Sequence, residues 1–141
     1  MAVVDAVAAE VAERAISAIA AAPDDLTAQV RSAVDAGYGV VARERRKANA
    51  LLVAGAGHGP LLDRRQAIIM QYAEQALAKL PPLGTMTAAD GCRAQATALF
   101  LMGGAAELIG AVLSGSLGLS RARVVDQLTA LCVAALTRPP L

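Results

Sequence analysis

Ala98 to Leu119 reads ALFLMGGAAELIGAVLSGSLGL, with one charged residue, Glu107, near its middle. A membrane span, a buried core helix and a helix covered by another chain all suit such a stretch. A span needs about 20 mostly apolar residues, and the length is available. Three features speak against lipid. An acidic side chain at mid-bilayer costs roughly 2.5–3.5 kcal/mol on insertion scales, the flanks carry no Trp or Tyr belt, and no basic cluster adjoins either end. Gly103, Ala106, Gly110 and Ser114 recur at steps of three and four, so they share one helix face. Glycine inside a helix costs about 1 kcal/mol relative to alanine. Close approach of a second helix is the physical return on that cost. Leu101, Leu108 and Val112 supply bulk on other faces, and a helix apolar all round is buried all round. In so short a chain that points to cover by a second subunit.

The rest of the chain carries helical punctuation and no convincing strand. Val3, Val4, Val7, Val11, Ala15, Ala18 and Ala22 make an apolar stripe, predicting a helix over 3–21 that Pro23 ends. Asp24 or Asp25 can cap a second helix over 26–43, buried through Leu26, Val30, Ala33, Val34, Gly37 and Val41. A bend is expected in the run Arg43, Glu44, Arg45, Arg46, Lys47, followed by a short third helix through Ala48, Leu51, Leu52 and Ala54. In GAGHGP, Gly57 suits a left-handed helix end and Pro60 the first turn of a fourth helix, over 60–80. Pro81-Pro82 stops that helix, and LGTMTAADG is a polar connection with Gly84 and Thr87 as turn or cap residues. The fifth helix spans 88–114, GSLGLS breaks it, and Ser120 caps a last helix over 121–136. The expectation is an all-α bundle of five to six helices forming one domain over 1–141.

Composition narrows the function. The 141 residues are 56% hydrophobic with a mean hydropathy of +0.50, but aromatics are 2%, so the core is aliphatic and small. Thirteen basic residues balance 12 acidic ones, which gives this chain no electrostatic reason to bind nucleic acid. The run Arg43–Lys47 contains Glu44 and no aromatics, and reads as a solvated junction. Cys92 and Cys132 are far apart and form no CxxC pair; with no signal peptide, a reduced, cytoplasmic chain is expected. They read as small buried apolar residues. His58 is the only histidine and lies in a glycine-rich turn, so neither a metal nor another cofactor is expected. No nucleophile–base pair, phosphate loop or carboxylate dyad is present, and an enzyme is not expected.

The segment ALFLMGGAAELIGAVLSGSLGLSRARVVDQLTALCVAAL resembles the last two helices of tetracycline-repressor (TetR) family transcriptional regulators. RRKANALLVAGAGHGPLLDRRQAIIMQYAEQALAKL is similar to the preceding pair, through its arginine-rich start, LL-V-AG run, Gly-Pro turn and L-x-x-RR. The resemblance covers about Val3 to Leu136. It implies a C-terminal domain that binds a small-molecule effector and forms a homodimer through its last two helices, paired with their symmetry mates as a four-helix bundle. It also implies an N-terminal helix-turn-helix domain, which has no counterpart in these residues, so DNA is reached only through a domain missing here. On this expectation Gly103, Ala106, Gly110, Ser114, Val124, Leu128 and Leu131 form the dimer interface, and Tyr38, Met70, Phe100 and Met102 line the effector pocket. Tyr72 is a further large side chain in mid-chain, with core packing the plainer role for each. Asn49, Gln66 and Gln95 are polar anchors or exposed. Glu107 is either a ligand contact or an interface carboxylate paired with an arginine. The rival from another class is a helical dimeric scaffold or partner-binding domain without a small-molecule ligand.

Overall fold

The computed structural model of the chain describes residues 2–52, 59–79 and 88–137. Among them run six helices and no strand: α1 Ala2–Ala21, α2 Leu26–Arg43, α3 Arg45–Leu52, α4 Gly59–Lys79, α5 Ala88–Leu113 and α6 Arg121–Thr137. The all-α bundle expected from the periodicity is therefore what the chain forms. The turn readings at Gly57, His58, Pro81-Pro82, Gly84 and Thr87 fall outside the described residues, as do the side chains of Asn49 and Cys92.

The helix ends follow from local chemistry. Asp25, rather than Asp24, caps α2; its backbone is extended and its carboxylate accepts from the Ala28 amide at 2.9 Å. Ser120 begins α6 in the same way, its Oγ accepting from the Arg123 amide at 3.3 Å. The break between α2 and α3 is a single residue, Glu44, whose amide still donates to the Val40 carbonyl at 3.0 Å. The charge run therefore bends the chain without interrupting its course. After α5 the turn closes at Gly115, which has φ 83, a left-handed conformation that only glycine adopts without steric cost.

α1 and α2 form an antiparallel hairpin, α6 lies on α2, and α4 packs along α5. Gly37 of α2 faces α1; a Cβ there would sit 3.5 Å from the Val11 side chain, an ordinary packing contact. Val7, Tyr38, Val41, Ala48, Ile109, Val124 and Leu128 meet in one core drawn from five helices. Ion pairs mark the seams between helices. Glu10 meets Arg43 across α1 and α2, Arg31 meets Asp126 across α2 and α6, and Asp5 meets Arg64 at 2.7 Å across α1 and α4. Such exposed pairs contribute about 0–1 kcal/mol each, so they select register more than they stabilise.

Between α2 and α6 the register is set by charge order. Arg31 and Asp35, one turn apart on α2, face Asp126 and Arg121 on α6. Sliding or reversing either helix would bring like charges together. Arg121 also lies 5.4 Å from the centre of the Tyr38 ring and donates to the Asp35 backbone carbonyl at 3.0 Å. The adjoining residue is Gly39, where a Cβ would come within 3.2 Å of the Arg121 guanidinium.

Candidate subunit face and ligand site

α5 carries the most unusual surface. Its segment Arg93–Leu113 contains a window of mean hydropathy 1.8, yet only 17% of that window is buried within the chain. By length and composition this segment could cross a membrane. One side of the helix is satisfied internally: Ala98, Ile109 and Gly110 are buried, and Ala105, Ala106, Leu108, Val112 and Leu113 pack on or within the core. The other side runs Phe100, Gly104, Glu107, Ala111, Ser114, again at steps of four and three. All but the half-buried Ala111 are exposed, Phe100 by 79%.

This rotates the small-residue face expected from sequence. Of Gly103, Ala106, Gly110 and Ser114, only Ser114 is fully on the outside. Gly103 is half-buried, Ala106 packs on the core and Gly110 is buried. The outward glycine is Gly104, and a Cβ added at either Gly103 or Gly104 would meet nothing within 4 Å. Nothing described within the chain therefore requires glycine at these two positions.

α6 divides similarly. Val124 and Leu128, expected at a dimer interface, are 0% and 4% exposed and belong to the chain's own core, so neither has surface left for a partner. At these two positions the apolar stripe of α6 is buried against the chain's own helices. Leu131 is 49% exposed and lies beside an outward row of Arg123, Gln127, Ala130 and Ala134.

Glu107 points out of the exposed face and is held at 2.6 Å by Arg65 of α4. The arginine side chain is 14% exposed and the carboxylate side chain 71%. The pairing is thus anchored from beneath by a largely covered guanidinium. Any chain placed over α5 would cover a carboxylate whose charge is already balanced.

The residues expected to line a pocket lie in different surroundings among the described residues. Tyr38 is in the core under Arg121, Met70 and Phe100 are exposed, and Met102 is half-buried. Phe100 leaves the pocket and joins the outer face of α5. Gln66 and Gln95 are exposed. Cys132 is half-buried, and burial pushes its thiol up from the ordinary value, away from the reactive thiolate. Among the described residues no three His, Cys, Asp or Glu side chains gather as a metal site would need.

A cleft of about 420 Å³ opens instead at the far end of the α1–α2 hairpin, lined by Ile16, Ile19, Ala20, Ala22, Asp24 and Gln29. On α4, the hydroxyl of Tyr72 and Oε1 of Gln75 are shut away from water with no hydrogen-bond partner, as is Oε1 of Gln29 on α2. Burial pushes the Tyr72 phenol up to about 12; the Ala12 backbone beside it offsets part of the effect without closing a proper hydrogen bond. Neither Gln29 nor Gln75 stands out in the sequence. Their only sequence signal is a lone amide within an apolar stripe, which resembles any exposed glutamine.

Compared with known proteins, the chain matches no family model, no curated protein and no solved structure.

Proposed function

We propose that this chain is the effector-sensing and dimerising domain of a TetR-like transcriptional regulator. The observation that carries the proposal is the outer face of α5. A stripe holding a 79% exposed phenylalanine and Gly104, with open space above that glycine, suits close packing against a second copy of the same helix. Large exposed apolar patches on soluble domains mark interaction surfaces. On α6, Leu131 is exposed as well. DNA contact belongs to a helix-turn-helix domain outside these residues. A small molecule held among the helices would favour one arrangement of two such domains over another by binding it more tightly.

The twofold arrangement also accounts for Glu107. Where two copies of α5 cross, both carboxylates are covered, and each brings its own Arg65. A buried charge is tolerable when paired and hydrogen-bonded.

The rival is a dimeric scaffold without a ligand. It is favoured by the scatter of Tyr38, Met70, Phe100 and Met102 over core and surface. Light scattering on the detergent-free chain tests the common part of both readings, with a dimer at micromolar concentration expected. A monomer, or a chain that stays in solution only with detergent, overturns it. A small-molecule screen by thermal shift then separates sensor from scaffold.

A further inference from the structure

We infer that the outer face of α5 takes a second copy of α5 running antiparallel, with the two Phe100 rings together at the twofold axis and Arg93 of each copy set against Glu107 of the other. The inference rests on the dimer reading and adds its orientation, its register and Arg93 as a contact.

The outer stripe reaches further towards the start of α5 than Phe100. Arg93 lies seven residues before Phe100 and Glu107 seven after, and both are exposed. Ala96 and Gly104, four before and four after, are exposed as well. At about 100° per residue, all four lie within about 40° of Phe100 around the helix. The stripe is therefore symmetric about Phe100 in size and opposite in charge. It has a small residue on each side of the ring, a cation at one end and an anion at the other.

A twofold axis gives each residue a definite mate. If the two helices run parallel, each residue meets its own copy, so Arg93 meets Arg93 and Glu107 meets Glu107. Like charges set together across an interface are costly and suppress that arrangement. If they run antiparallel and centre on Phe100, Arg93 lies opposite Glu107 twice and Ala96 opposite Gly104 twice. Small residues facing each other let two helix backbones approach closely, and nothing lies within 4 Å of a Cβ placed at Gly104. Other antiparallel registers lose these matches. Centring on Gly104 sets each Phe100 beside Glu107 of the other copy and leaves Arg93 beyond the end of α5 at Leu113. Centring on Glu107 brings the two carboxylates together.

The single chain leaves both charges ready for this pairing. Arg93 has no hydrogen-bond or ion-pair partner among the described residues. Glu107 is held from beneath by Arg65 at 2.6 Å, yet its side chain is 71% exposed. An ionised carboxylate offers about four lone-pair sites, so it accepts from a second guanidinium above it. Arg65, whose side chain is 14% exposed, stays with its own chain. At 1.5 Å per residue, the two Glu107 carboxylates then lie about 21 Å apart along the helices.

Two measurements on the purified chain test orientation and register. Spin labels at Ser114→Cys, in a Cys92→Ala/Cys132→Ala background, report the distance between copies by double electron–electron resonance. Antiparallel copies hold the two labels about 40 Å apart, and parallel copies hold them within about 20 Å. Arg93→Glu turns two attractions into two repulsions, so it should weaken the dimer at least about 10-fold in sedimentation equilibrium. Arg93→Lys keeps the charge and should stay within about threefold of the parent. Added salt should loosen the parent dimer and tighten the Arg93→Glu dimer, because screening weakens attraction in one and repulsion in the other. A substitution that only disturbed the fold would not reverse that dependence. Labels within about 20 Å, an Arg93→Glu dimer as tight as the parent, or the same salt dependence in both overturns the inference and leaves the dimer standing. A monomeric parent chain sinks the dimer and the inference together.

Discussion

Truncating Phe100 to alanine should separate the dimer while leaving the fold intact. The side chain is 79% exposed in the single chain, so it contributes little to the packing of its own helices. Full burial of a phenylalanine side chain stabilises by about 1.5–3 kcal/mol. A twofold interface contains two copies, each with about four-fifths of that surface still to hide. The loss on Phe100→Ala is therefore about 2.4–4.7 kcal/mol of dimer stability, or about 60- to 3,000-fold in dissociation constant. Sedimentation equilibrium over a concentration series measures that constant. Denaturation measured on the monomeric fraction should change by no more than about 0.5 kcal/mol, as for other exposed positions. A dissociation constant within about threefold of the parent would refute the assignment of this face. So would a loss of fold stability as large as the loss of dimer, since Phe100 would then be packing inside its own chain.

Other expectations follow from the same geometry. Gly104→Leu adds a side chain where nothing lies within 4 Å, so the monomer should gain about 1 kcal/mol from helix propensity while the dimer is lost; sedimentation and thermal denaturation read the two separately. Gly110→Leu would instead strain the core, because Gly110 is buried within the chain, and should lower the melting temperature even when the protein is monomeric. Thr129 is 2% exposed with an unpartnered hydroxyl among Val124, Val125 and Leu128, so Thr129→Val should stabilise by about 1 kcal/mol in urea denaturation. For Tyr72, a phenol raised from 10.0 to about 12 holds its proton longer folded than unfolded, so its contribution is complete below pH 10 and lost as pH rises towards 12. Stability measured across that window should fall less steeply in Tyr72→Phe. An unchanged slope would show that the phenol is not buried as described.

How much of this was legible in the sequence depended on whether a neighbour in sequence or a neighbour in space decided the matter. Helix ends are local. An Asp after Pro23, a Ser before Arg121 and a glycine after the last turn of α5 each act on backbone within a few residues, and the expected boundaries agree with the described ones to within a residue or two. The apolar stripes were equally readable, since period alone reveals them. Which body covers a stripe is a different question. Val124 and Leu128 read as well for a partner as for α2, and only the α2–α6 packing, with Arg31 and Asp35 set against Asp126 and Arg121, assigned them to the core.

The outer face of α5 shows the same division. By itself the sequence determined that Ala98–Leu113 is helical, apolar on every side and interrupted by one carboxylate. The tertiary structure decided which side is spent inside the chain, and it rotated the outward stripe from Gly103, Ala106 and Gly110 to Phe100, Gly104 and Glu107. It also gave Glu107 its partner, Arg65, which lies 42 residues away in sequence. The orphaned atoms of Gln29, Tyr72 and Gln75 belong to that second kind of information. The physical reason is that periodicity is a property of one helix, whereas burial and hydrogen-bond satisfaction depend on what the other helices bring to it.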